Sequence, residues 1–245
     1  MSVAVEICVS SVEEATVASA YGVDGLEVCS WLACGGITPS SGLVDAVRQA
    51  VRIPVRVLIR PTPTGFHFST VESMVLITDA EIFGGGALGL VTGALSASGQ
   101  LHGALISEVK QKAPESEITF HRAIDHAMDP LQVLDDCLAL GIDRILTSGG
   151  AGLAIDGVDR LRSLVDRAGE ACTIAVAGGV NATNVVEIVE RTGVQEVHFA
   201  AQLPTERRGS GPALSSSDQL AWFGTRPDEA KIEAVLNALV KAGLR

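Results

Sequence analysis

Eight times along the chain, a short run of β-branched and apolar residues gives way to a longer segment of helical period. The runs lie at 5–9, 25–29, 55–60, 88–92, 118–122, 144–148, 173–177 and 196–200. Several are continuously apolar, as parallel strands buried on both faces should be. The segments between them carry helix signals. Ser11-Val12-Glu13-Glu14 reads as a capping box and Gly22 as the end of that helix. Asp129-Pro130 opens another, closed by Gly141. Asn181 starts a third, stopped by Gly193, and the last helix spans 227–242. Eight β-then-α units in 245 residues match a single-domain (β/α)₈ TIM barrel. A doubly wound open sheet is the rival. When it binds dinucleotides it needs a glycine-rich turn after the first strand, but Cys8-Val9-Ser10-Ser11 follows here. The barrel is preferred. Between the last strand and last helix, 202–226 reads as one long loop. A lid or a surface insertion would both fit, and its place on the active rim favours a lid.

A formal charge of −11 disfavours nucleic acid and anionic membranes as partners. No stretch of about 18 consecutive apolar residues marks a membrane span. The first residues lack a secretory pattern. Five cysteines, mostly within apolar runs, suit reduced thiols better than a disulfide framework. These readings point to a cytoplasmic protein. They leave open whether it forms a homo-oligomer.

In barrels of this kind the C-terminal strand ends carry the chemistry. Glu6 and Cys8 share one face of the first strand, and Glu27 and Cys29 one face of the second. Both glutamates should point inward, because a carboxylate against the apolar outer helices would be costly. Arg60 precedes Pro61, which stops its ladder. His121, Arg122 and Asp125 follow the fifth strand. Glu27, Arg60, His121 and Asp125 form a candidate acid/base set: Glu27 as base, His121 as acid, Arg60 as anion clamp and Asp125 as the group orienting a partner. The three strand-end side chains should converge at one mouth, with Glu27 in salt-bridge reach of a cation. The alternative is an ion layer that merely fills the barrel. Ser148-Gly149-Gly150 and Gly178-Gly179-Val180-Asn181 offer backbone N–H groups to an anion, and His198 lies on the last strand. All four lysines (Lys110, Lys112, Lys231 and Lys241) fall in helices, which disfavours a Schiff-base aldolase. The substrate implied is a small anionic metabolite, with no cofactor demanded by the residues.

Taken in order, Glu27-Val28-Cys29-Ser30, Gly35-Gly36-Ile37-Thr38-Pro39-Ser40, Ile59-Arg60-Pro61, Thr119-Phe120-His121-Arg122-Ala123, Asp125, Arg144-Ile145-Leu146-Thr147-Ser148-Gly149-Gly150, Gly178-Gly179-Val180-Asn181 and His198 resemble the CutC family over roughly residues 3–201. The resemblance implies a (β/α)₈ barrel. It also implies a copper-homeostasis label without an established reaction, and Cu(I) binding by the matching cysteines, Cys8 and Cys29. Thiolates suit Cu(I), although a cysteine in an apolar strand is most often a small hydrophobe. The chain departs from the family at Trp31, where a small or amide residue is usual, and at Thr62, near a usual arginine. It departs again at Phe199-Ala200-Ala201, where Gly-Ser-Ala is common. These changes remove a polar rim group, a cation and a glycine. Trp31, at the end of the second strand, could also obstruct a path to the cysteines.

Overall fold

A computed structural model describes residues 2–85, 87–205 and 225–245. Eight parallel strands close into a barrel in sequence order, each hydrogen-bonded to its successor and the eighth to the first. They are β1 (Ala4–Val9), β2 (Gly25–Val28), β3 (Val55–Leu58), β4 (Gly89–Thr92), β5 (Ile118–Phe120), β6 (Arg144–Thr147), β7 (Thr173–Val176) and β8 (Glu196–Ala200). Every strand expected from the sequence is present. Five of the eight, β2, β3, β5, β6 and β7, stop one or two residues early, because the ladder ends where neighbouring chains diverge toward the rim. Those last residues, among them Cys29, Arg60, His121 and Ser148, thus sit just past the sheet.

The helices α1 (Val12–Ala20), α2 (Ser41–Ala50), α3 (Thr70–Phe83), α4 (Gly103–Lys112), α5 (Pro130–Ala139), α6 (Val158–Ala168), α7 (Val185–Thr192) and α8 (Glu229–Lys241) surround the barrel. Two expected boundaries shift. Ser11 caps α1 through the N–H of Glu14, but the Glu14 carboxylate accepts from Ser10 instead of returning to its cap, so the box is only half formed. Helix α7 begins after Asn184. Asn181 instead accepts from the N–H and hydroxyl of Thr183 in the preceding turn. Part of the expected loop is strand: β9 (Gln202–Pro204) and β10 (Thr225–Pro227) pair antiparallel. Glu14 ties this ribbon to α1 by accepting from Gln202 and Thr225, each at 2.5 Å. Two strands twenty residues apart give no hairpin turn signal, which is why the sequence reads as loop. The remainder of that loop, 206–224, and with it the expected lid, lies outside the described residues.

The outward side chains of the strands pack on the helices in one continuous apolar core. The inward ones do not make an apolar filling throughout. Low in the barrel, Arg144 is only 1% exposed and donates to Glu6 at 2.7 Å and Glu196 at 2.6 Å. Arg56 closes the layer, donating to Glu6 at 2.7 Å and forking onto Glu117. The ion layer weighed against catalysis therefore exists, but it lies beneath the rim residues and is built mainly from other side chains.

Candidate active site

Above the ion layer the mouth opens as a cavity of about 610 Å³. Glu27, Arg60 and His121 all line it, together with Cys8 and His198. Register explains the floor. Cys8 of β1 lies opposite Glu27 of β2, and Glu6 lies opposite His198 of β8, so three adjacent strands bring their inward side chains together. The Cys8 thiol donates to Glu27 Oε1 at 3.5 Å and sits 3.3 Å from the Cys29 sulfur. His198 Nδ1 meets Glu6 Oε2 at 2.7 Å.

The electrostatics of this floor are set by burial and by the layer beneath. Burial alone would push the Glu6 carboxyl up. Arg144, His198 and Arg56 outweigh it and hold Glu6 well below the ordinary carboxylate range. Burial would lower the His198 pKa, yet Glu27 and Glu6 outweigh it and raise it above the usual imidazole value. Burial raises the Glu27 carboxyl, with Glu6 adding to the rise and His198 opposing it. The hydrogen bond to Cys29, followed by burial, raises the Cys8 thiol well above its usual range. Glu27 has no salt bridge among the described residues, contrary to expectation. Its Oε1 takes the Cys8 thiol and its buried Oε2 has no partner.

The remaining expected residues divide by location. His121 caps the 3₁₀ turn after β5, its Nδ1 accepting from the Ala123 N–H at 3.2 Å. Burial and the Arg60 charge lower its pKa to about 3. With Nδ1 accepting, the ring proton of His121 falls on Nε2, which is buried without a partner among the described residues. Arg60 spends its guanidinium on the carbonyls of Gly36, Pro63 and Cys34 and lies over the Phe66 ring at 5.0 Å. It braces two rim loops, so little of it is left to clamp an anion. Asp125 accepts from Thr147 Oγ1, the N–H groups of Ser148 and Gly150, the Ser148 hydroxyl and Arg122 Nε. The partner it orients is Arg122.

That carboxylate also corrects the anion reading of the first glycine turn. The N–H groups of Ser148 and Gly150 already bind Asp125, and that of Gly149 goes to Thr147 Oγ1. None of these three residues lines the cavity, and Asn181 does not either. The second turn differs. Gly178, Gly179 and Val180 line the cavity beside Arg122 and donate no backbone hydrogen bond among the described residues. Their positive φ values of 104° and 72° make Gly178 and Gly179 left-handed, a backbone shape that favours glycine.

Two cationic cavity residues, Arg122 and Lys231, fell outside the candidate set. The Arg122–Asp125 spacing on the turn after β5 was legible as a pair, but which partner Asp125 takes was not. Lys231, on α8, reaches the mouth and donates to the Ala200 carbonyl at 2.6 Å. Looking for lysines only on strands could not find it, because the chain returns to the rim after β10. Trp31 adopts a left-handed conformation and faces a neighbouring depression, so it does not stand over Cys8.

A closed barrel of eight parallel strands alternating with helices, with a buried carboxylate, an imidazole and a thiol around one open cavity, is a (β/α)₈ TIM barrel. Within that class the chain is a member of the CutC family, whose model matches residues 3–203. It is 36% identical over 242 residues to the family protein CutC of Glaesserella parasuis serovar 5, covering 98% of this chain and 97% of that one. It is 35% identical over 243 residues to the human copper homeostasis protein cutC homolog, covering 96% and 88% respectively. The crystal structure of CutC from Streptococcus agalactiae superposes with a TM-score of 0.75 at 28% identity, covering 80% of this chain and 98% of that one. Among the described residues, no helix is long and apolar enough to cross a membrane.

Proposed function

We propose that the cavity is the active site of an enzyme performing acid/base chemistry on a small anionic metabolite. The observation that carries this reading is Glu27: a buried carboxylate with one oxygen unpartnered, facing an open cavity beside His198. Buried polar groups are normally satisfied, and perturbed ionisable groups in a cleft mark working sites. The charge balance of the walls favours an anion. Among the described residues, Arg60, Arg122 and Lys231 line the cavity against the single carboxylate of Glu27, in a chain of net charge −11. The N–H groups of Gly178, Gly179 and Val180, with Arg122, make the anion subsite; Cys8, Glu27 and His198 make the reactive floor. The test is metabolite depletion by the purified chain against an extract, repeated with Glu27→Gln and His198→Gln. Depletion of an anionic compound by the parent and by neither variant is expected; undiminished depletion by Glu27→Gln would refute the assignment.

A second reading is Cu(I) handling, favoured by the 3.3 Å separation of the Cys8 and Cys29 sulfurs and by the copper-homeostasis name of the human relative. The donors fit the metal: two thiols on adjacent strands, one facing the cavity, suit a soft monovalent ion. Cys8 and Cys29 would hold it, and its chemistry would be storage or transfer of the ion itself. Stoichiometric Cu(I) binding lost in Cys8→Ser and Cys29→Ser is the expected result under this reading.

A further inference from the structure

Cys8, Glu27 and His198 each offer one ligand atom, and the three atoms lie within 4.8 Å of one another. We propose that these side chains form a site for a borderline divalent ion such as Zn²⁺, with its fourth position open to the cavity. The role of the ion rests on the cavity being the substrate site, but its binding does not.

Four observations carry the proposal. The first is the bite. Cys8 Sγ and Glu27 Oε1 stand 3.5 Å apart. With Zn–S of about 2.3 Å and Zn–O of about 2.0 Å, the edge of a tetrahedron is also about 3.5 Å. Two ligands are therefore already at coordinating separation, and His198 needs to close by about 1 Å to complete a tetrahedral face. The second is the support behind the histidine. A metal-bound imidazole usually donates its other ring N–H to a carboxylate, which fixes its orientation. His198 Nδ1 meets Glu6 Oε2 at 2.7 Å, leaving Nε2 as the ligand, and Glu6 is itself held by Arg144 and Arg56. The third is the buried, unpartnered Oε2 of Glu27, which a carboxylate turning both oxygens to the ion would satisfy. The fourth is access: all three ligands line the cavity, so an ion held by them faces substrate with a free position. Three protein ligands and one open position describe a catalytic rather than a structural zinc site.

The ligand set also separates this site from the Cu(I) reading. One thiolate, one imidazole and one carboxylate make a borderline set, whereas the Cys8–Cys29 pair is purely soft. The two sites share Cys8, so only one can be filled at a time. Binding the divalent ion forms bonds from sulfur, nitrogen and oxygen to the metal. It releases the Cys8 thiol proton to the buffer, with the Nε2 proton of His198 as well when the ring is doubly protonated, and with no change in oxidation state. The bound ion would polarise a carbonyl or lower the pKa of a water beside the anion subsite. The substrate class this names is an anion carrying a carbonyl or hydrolysable group.

The test is titration of the full chain, stripped with chelator and kept reduced, with Co²⁺ followed by absorption, and then displacement by Zn²⁺. One equivalent should give the intense visible bands of tetrahedral Co²⁺ and a sulfur-to-cobalt charge-transfer band. Glu27→Gln and His198→Gln should weaken binding at least tenfold, and Glu6→Gln by about 10- to 100-fold. Cys29→Ala should leave the spectrum in place, while a parallel Cu(I) titration should lose its tight phase in Cys29→Ala and keep it in Glu27→Gln. Near-ultraviolet circular dichroism checks that each variant is folded, and Cys8→Ser provides a further variant that should lose the sulfur band. No Co²⁺ binding by the parent chain would overturn the proposal, as would a spectrum without the sulfur band or one lost equally in Cys29→Ala. Absent Co²⁺ binding with turnover still abolished by Glu27→Gln would refute the metal and leave the acid/base enzyme. Co²⁺ binding with no metabolite depleted would do the reverse.

Discussion

Replacing Arg144 by methionine keeps an unbranched stem and removes the guanidinium charge from the base of the barrel. Arg144 is 1% exposed, as is Glu6, and its Nη2 donates at 2.7 Å to Glu6 and 2.6 Å to Glu196. Taking one partner from a buried pair costs about 3–5 kcal/mol, because the other charge stays buried without compensation. Here Glu6 retains Arg56 at 2.7 Å and His198 at 2.7 Å, so the lower end, about 3 kcal/mol, is expected. That is a large share of the 5–15 kcal/mol typical of a folded domain, and it should lower the melting temperature by on the order of 10 °C. Urea unfolding of Arg144→Met beside Arg144→Lys measures it. The pH dependence gives a second readout. Glu6 is held below its ordinary value of 4.5, so its contribution is full above that pH and lost as pH falls through the depressed pKa. Without Arg144 the carboxyl rises and the loss begins at higher pH. Adding Glu6→Gln to Arg144→Met should recover part of the stability. A loss below about 1 kcal/mol in the single variant would refute the claim that the layer is tightly coupled.

Three further outcomes are expected. His198 and His121 should act on stability in opposite senses. The raised His198 contributes fully below 6.5 and loses its contribution as pH rises through its folded pKa; the depressed His121 costs stability as pH falls from 6.5 toward about 3. His198→Gln should therefore flatten the alkaline limb and His121→Asn the acid limb of a stability–pH curve, and unchanged slopes would contradict the assignments. Asp125→Ala removes the acceptor that fixes Arg122 at 2.8 Å, and should weaken inorganic phosphate binding about tenfold by calorimetry while leaving Glu27 in place. Equal phosphate affinity would show that Arg122 plays no part in an anion subsite. Gly93→Ala would place a methyl carbon 2.4 Å from His121 Nδ1, so it should displace that ring at about 1–3 kcal/mol of stability. An unshifted His121 resonance would argue against that contact.

The barrel was legible because its signals are local. Continuous apolar runs such as Leu88–Thr92 (88–92) and punctuation such as Asp129-Pro130 or Gly193 depend on neighbouring residues, and all eight strands follow from them. The candidate residues were legible by the same logic, as polar side chains at the ends of apolar strands. Their partners were not. Glu6 meets His198 and Arg144 across 192 and 138 positions of sequence, and Gln202 and Thr225 converge on Glu14 across a similar span. Such contacts are fixed by barrel closure and register, which no local pattern encodes.

The sequence by itself determined the architecture, the inward face of Glu6, Cys8, Glu27 and Cys29, and the family. Tertiary structure decided how each polar residue is used. Asp125 is occupied by the Ser148–Gly150 turn, which leaves the Gly178–Val180 N–H groups as those open to an anion. The pKa of His121 is lowered and that of His198 raised, although both are buried histidines at the barrel mouth, because burial and Arg60 act on the first and Glu27 and Glu6 outweigh burial at the second. Residue type sets which chemistry a side chain can perform. The charges and donors that folding brings within a few ångströms set its protonation state, and with it the chemistry it performs.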